Sequence, residues 1–192
     1  MHRHAEDLVR QRQAFLRDHP GIRGFTLERY PPGRLVIDLQ ERVPLARIGW
    51  SSSLVVDEQG RVFTLPPARE RLLDGLPVLI SDGLAGKKAG DWILPADPEF
   101  AGVSVLLSTR RQKRQLAFTV GEIDLTGDVF LDLVTTDNLC IRLPYDEFSS
   151  EKRIGLMLRL ASEVLARGGA AGKGSLEVLP GAKGRQSQVF AK

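Results

Sequence analysis

The chain has 192 residues, 42% hydrophobic, 27% charged and 6% aromatic, and 27 Lys and Arg against 24 Asp and Glu give a formal charge of +3. That length supports one good-sized core, or one domain plus a smaller lobe, and the composition is that of an ordinary globular chain. The scarcity of aromatics argues against a base-stacking surface, the small positive charge points to no particular polyanion, and the lone Cys140 excludes an intramolecular disulfide or a thiolate metal cage.

Ala5 to Arg17 is expected to form a helix with a narrow apolar stripe of Leu8, Phe15 and Leu16, stopped by His19-Pro20-Gly21. Gly24 to Tyr30 and Leu35 to Glu41 read as two strands, joined by Pro31-Pro32-Gly33 in the order a type II turn prefers. In the second strand Leu35, Ile37 and Leu39 alternate with Val36, Asp38 and Gln40, the period-2 pattern of a strand with at least one buried face. Pro44 cannot donate to a ladder, so Glu41 to Pro44 is expected at an edge or at a crossing between sheets.

From Val43 onward the pattern is rich in strands. Leu45 to Ile48, Ser53 to Val56 and Arg61 to Leu65 are short strands, and Gly60 closes Asp57-Glu58-Gln59-Gly60 as a hairpin with a left-handed residue. A loop dense in Pro and Gly follows, then a helix over Pro98 to Arg114. Leu116 to Leu125, Val129 to Thr135 and Leu139 to Leu143 form three more strands with turns at Gly127-Asp128 and Thr136-Asp137-Asn138. Glu151 to Arg167 is the best-marked helix, with Ser150 as N-cap, Ile154, Met157, Leu158, Ala161 and Leu165 along one face, and Gly168-Gly169 after it. Ser175 to Leu179 and Gln186 to Phe190 are the closing strands.

Chemistry is sparse along this order. His2 and His4 flank Arg3 near the start with no carboxylate at a spacing that completes a metal site, and His19 reads as a helix-end residue near free carbonyls. Cys140 lies in a strand-like run, where a buried structural thiol is expected rather than a nucleophile. Gly102-Val103-Ser104-Val105-Leu106 misses the second glycine of a nucleophile elbow. Gly168 to Ser175 departs from a phosphate loop at both ends and follows a helix instead of preceding one, so a connector is expected there. Arg110-Arg111-Gln112-Lys113-Arg114 reads either as a solvated helix end that complements the macrodipole or as a patch for anionic groups. Asp128 and Asp137 suit turns, Asp132 is expected to face solvent, and Asp124 joins them without forming an acid-base pair in a cleft. No catalytic, cofactor or metal residues are assigned.

Two linked motifs carry a family likeness. Glu41-Arg42-Val43-Pro44-Leu45-Ala46 follows the pattern Glu-Arg/Tyr-x-Pro-x-Ala, and Val56-Asp57-Glu58-Gln59-Gly60-Arg61-Val62-Phe63 follows Val-Asp-x-x-Gly-x-x-Phe. In these motifs, and in the order of elements after them, the chain resembles the extracytoplasmic part of the bacterial cell-division proteins FtsQ and DivIB. Gly75-Leu76-Pro77-Val78-Leu79-Ile80 resembles the short Leu-Pro-x-Leu segment that follows the hairpin there. The resemblance implies an α+β fold. Residues 1–42 would be a truncated POTRA-like lobe of helix plus hairpin, and 43–192 a mostly antiparallel β domain with two helices. The family's transmembrane helix and the first POTRA strand and helix have no counterpart in this sequence, so a missing N-terminus is expected. Read without the resemblance, the same residues would describe a soluble cytoplasmic chain.

The resemblance implies a non-enzymatic scaffold without cofactors, held at the inner membrane with this part in the periplasm, and with no nucleic-acid partner. Its partners would be FtsB and FtsL, docked by strand addition along the segment that corresponds by position to Gln186, Ser187, Gln188, Val189 and Phe190. A short terminal strand can leave one row of peptide groups unpaired, which independently suits such docking. The alternative is a small soluble POTRA-like binding module unrelated to division.

Overall fold

A computed structural model of the chain describes residues 2–145, 151–167, 175–179 and 188–191. Helix α1 (His2–Asp18) leads into β1 (Ile22–Tyr30) and β2 (Arg34–Glu41), which pair only with each other as an antiparallel ribbon. Phe15 of α1 meets Phe25 of β1 edge-on at 5.2 Å and fixes the helix to one face of that ribbon. Register puts Phe25 opposite Leu39 and Leu27 opposite Ile37, so these side chains share that face. The ribbon nevertheless buries little: Leu27 of β1 and Leu35, Ile37 and Leu39 of β2 all remain about half exposed. The turn also differs from the type II expectation, since the Pro31–Pro32 peptide is cis, the signature of a type VI turn.

The remaining strands form one sheet. They are β3 (Pro44–Ile48), β4 (Leu54–Asp57), β5 (Val62–Thr64), β6 (Val78–Ile80), β7 (Val120–Asp124), β8 (Phe130–Thr135), β9 (Cys140–Pro144), β10 (Ser175–Leu179) and β11 (Gln188–Ala191). Their spatial order is β11-β10-β9-β8-β7-β6-β3-β4-β5. Pro44 does mark the crossing: β2 ends at Glu41 in the ribbon and β3 begins at Pro44 in the large sheet. Parallel pairings join β3 to β6, β6 to β7 and β9 to β10, and the other pairings are antiparallel, so the architecture is α+β with a mostly antiparallel sheet.

One row of side chains explains why the sheet coheres. Ile48, Leu79, Ile123, Leu133, Ile141 and Leu176 stand opposite one another on six successive strands, and all are buried. Each full burial of such a side chain contributes roughly 1.5–3 kcal/mol. Helices α2 (Phe100–Gln112) and α3 (Glu151–Ala166) pack against each other and over this face. The stripe of α3 is as its spacing predicts, with Ile154, Met157, Leu158 and Ala161 buried and Leu165 partly so. A glycine inside α2 costs helix propensity but permits close approach, because a Cβ on Gly102 would press on Leu79 and on Leu125 Cδ1, the latter at 3.0 Å.

Candidate interaction surfaces

Strand β11 occupies one end of the sheet. It pairs antiparallel with β10, Glu177 opposite Phe190 and Val178 opposite Val189, and among the described residues nothing pairs with its outer side. Of the residues expected to bind a partner, Gln188, Val189 and Phe190 therefore lie on an edge strand. Gln186 and Ser187 lie outside the described residues, as do Ser150 and the connector 168–174. Every second residue of an edge strand turns its N–H and C=O outward, the template that a strand from another chain can extend.

The other end of the sheet is built differently. Asp57 ends β4 and accepts hydrogen bonds from the Gln59 and Arg61 amides at 2.9 Å each, which sets the hairpin turn. Gly60 takes φ +83° as its position requires, and a Cβ there would collide with the Ile93 carbonyl. The edge of β5 is then occupied by residues 90–93. The Gly90 amide donates to the Val62 carbonyl at 2.8 Å, the Val62 amide to the Asp91 carbonyl at 3.0 Å, and the Ile93 amide to the Gly60 carbonyl at 2.8 Å. Over this seal the Trp92 ring receives the Arg61 guanidinium at 4.8 Å. Burial, followed by repulsion from Arg42, lowers the pKa of Arg61, while Asp57 and Asp91 oppose that shift.

Arg42 ties the ribbon to this end. Its amide donates to the Gly21 carbonyl at 2.8 Å and its Nε to the Pro20 carbonyl at 3.0 Å. Its Nη1 meets Asp57 Oδ2 at 2.6 Å, with only 10% and 5% of the two side chains exposed. Arg23 with Glu58 at 3.4 Å and Arg69 with Glu41 form outer ion pairs across the same junction. A buried pair of this kind is costly to break from one side, whereas the exposed pairs contribute little.

The sheet face turned away from α2 and α3 carries the remaining polar groups. Asp132 is not simply solvent-facing as expected: both its oxygens accept from Arg142, at 2.8 and 2.9 Å. Cross-strand register places these residues opposite one another on β8 and β9, which makes the fork-on-carboxylate geometry available. Cys140 is half-buried rather than buried. Burial, with Asp132 next, pushes its thiol pKa up against the pull of Arg142, which is the reverse of an activated nucleophile. Asp124 accepts from the Thr126 amide and hydroxyl at 2.8 and 2.7 Å in the turn after β7. His19 packs on Phe15 at 4.5 Å, and among the described residues no group of three His, Cys, Asp or Glu is placed to hold a metal. Arg110 and Arg111 occupy the last turn of α2, the helix end where cations complement the dipole.

Sequence reasoning missed the plug at residues 90–93, because it works through backbone groups that any side chains could supply. The Trp-Ile pair within a Gly/Pro-rich loop was its only visible sign. The fold defines a class: an α+β domain whose sheet is sealed at one edge, unpaired among the described residues at the other, and clamped to a helix-hairpin lobe. Residues 46–177 match the family of cell division protein FtsQ/DivIB, C-terminal, which is well over half of the chain, and the chain belongs to that family. It is a family of membrane-anchored, non-enzymatic division scaffolds with an extracytoplasmic domain, so this chain has a role in cell division. The match runs from β3 into β10 and leaves out both the ribbon and β11. A comparison with curated proteins finds no match. Among the described residues no helix is long and apolar enough to cross a membrane.

Proposed function

We propose that this chain is the extracytoplasmic portion of an inner-membrane division scaffold that joins early and late division proteins. An FtsB/FtsL-type partner adds a strand along the outer edge of β11. Residues 1–42 serve as part of a POTRA-like lobe and 43–192 as the β domain. The observation that carries the proposal is the position of β11 at the end of the sheet, where no described residue pairs with its outer side. The half-exposed Leu27, Leu35 and Ile37 support the reading of the ribbon as part of a larger lobe.

Edge pairing alone sets a modest affinity. A strand the length of β11 offers about four outward peptide groups, and at roughly 0.5–1.5 kcal/mol net apiece they supply about 2–6 kcal/mol. A micromolar complex needs about 8 kcal/mol, so partner side chains must pack as well. Proline at Gln188 and at Val189, made separately, removes the amide from one side of the strand and then the other. At least one variant should keep the fold by near-UV circular dichroism and lose binding to the FtsB-type partner at least 100-fold in a calorimetric titration. Two folded variants with unchanged affinity would sink the strand-addition proposal.

A further inference from the structure

A concavity lies where the mutually parallel strands β3, β6 and β7 begin. Pro44 opens β3, Pro77 leads into β6 and Thr119 into β7, and together they ring a cavity of about 280 Å³ whose remaining side is the last turns of α2. Its floor is apolar: Leu76, Leu116, Phe118 and Val120 are each only partly covered by the rest of the chain. Arg110 in the last turn of α2 and Lys113 just past its end stand exposed on its rim, and among the described residues no Asp or Glu lines it, although Arg110 also borders the small cleft of Glu41, Asp57 and Glu58. The sequence left these cations with two readings, and the helix dipole accounts for their place at the end of α2 but not for the apolar hollow beside them.

We infer that this cavity docks a short segment of a partner protein in which an Asp or Glu adjoins a Leu or Phe. The acid meets Arg110 and Lys113 while the apolar side chain covers the floor, the pairing of charge complementarity and buried anchor on which interfaces depend. The volume of about 280 Å³ falls just below the ~300–1,000 Å³ range of small-molecule sites, which suits one or two anchoring side chains rather than a whole ligand. Lipid headgroups or nucleic-acid phosphates would satisfy the cations yet leave the floor wet. Four strand spacings of ~4.8 Å, about 19 Å, separate β7 from β11, so the two surfaces can be occupied together.

The test is selection of random dodecapeptides, displayed on phage, against the full 192-residue chain, with winners re-measured as free peptides by fluorescence anisotropy. Winners should pair an acid with Leu or Phe. Changing that acid to its amide, or the apolar residue to Ala, should weaken binding at least tenfold, and this arm needs no protein variant. The double variant Arg110→Glu/Lys113→Glu should bind at least tenfold more weakly with unchanged melting. Winners without the acidic-apolar pairing, or winners that bind the double variant equally well, overturn the inference. So does binding to phosphatidylglycerol vesicles or single-stranded RNA that is lost in the double variant while no such peptide binds.

Discussion

The two ends of the large sheet solve opposite problems. At β5 the chain returns on itself, and residues 90–93 take up the edge peptide groups while Trp92 and Arg61 cover the outside. At β11 no described residue does so. An unpaired edge is a liability that proteins usually blunt. A domain that seals one edge through three backbone hydrogen bonds, and whose other edge no described residue pairs with, keeps a single direction in which its described sheet can grow. The sealed end is also where the ribbon is anchored, through Arg42 and Asp57.

Substitutions should separate the two ends by what they damage. Asp57→Ala strips the buried Arg42 of its partner and the hairpin of its turn acceptor, and should cost about 3–5 kcal/mol in urea unfolding. A loss under about 1 kcal/mol would mean the junction adds no stability. Gly60→Ala forces a side chain into a left-handed position against the Ile93 carbonyl, for about 2–4 kcal/mol. Trp92→Ala removes a side chain that is itself 41% exposed and should cost only about 1–2 kcal/mol. By loosening the seal it should also produce concentration-dependent self-association in sedimentation velocity, and a strictly monomeric variant would show that the backbone plug suffices alone. Whichever of the Gln188 and Val189 prolines removes an outward amide should cost least, under about 1 kcal/mol, because the pairing of β11 with β10 stays intact; its damage is to binding.

Legibility in the sequence followed the kind of force at work. The hairpin around Gly60, the stripe of α3 and the crossing at Pro44 were all readable, because backbone sterics and helical period act over a few residues. Strand β6 was not read as a strand: three residues are too few for a period, and it owes its place to parallel partners on both sides. The alternation of β2 announced an apolar face, but sequence period says nothing about what covers such a face, and most of it lies bare. Of the expected binding residues, the sequence supplied a strand near Val189, whereas its place at the sheet end depends on a parallel pairing of β10 with β9 that no local pattern encodes. The pairing of Asp132 with Arg142 was hidden for the same reason, since register decides it.

Arg42 also has a mechanical consequence. A pull on the ribbon does not load Val43 alone, because the Arg42 amide and guanidinium hold the Gly21 and Pro20 carbonyls on one side and Asp57 on the other. Tension therefore enters the sheet at the β4–β5 hairpin as well as at β3, so the load is shared between two points of entry.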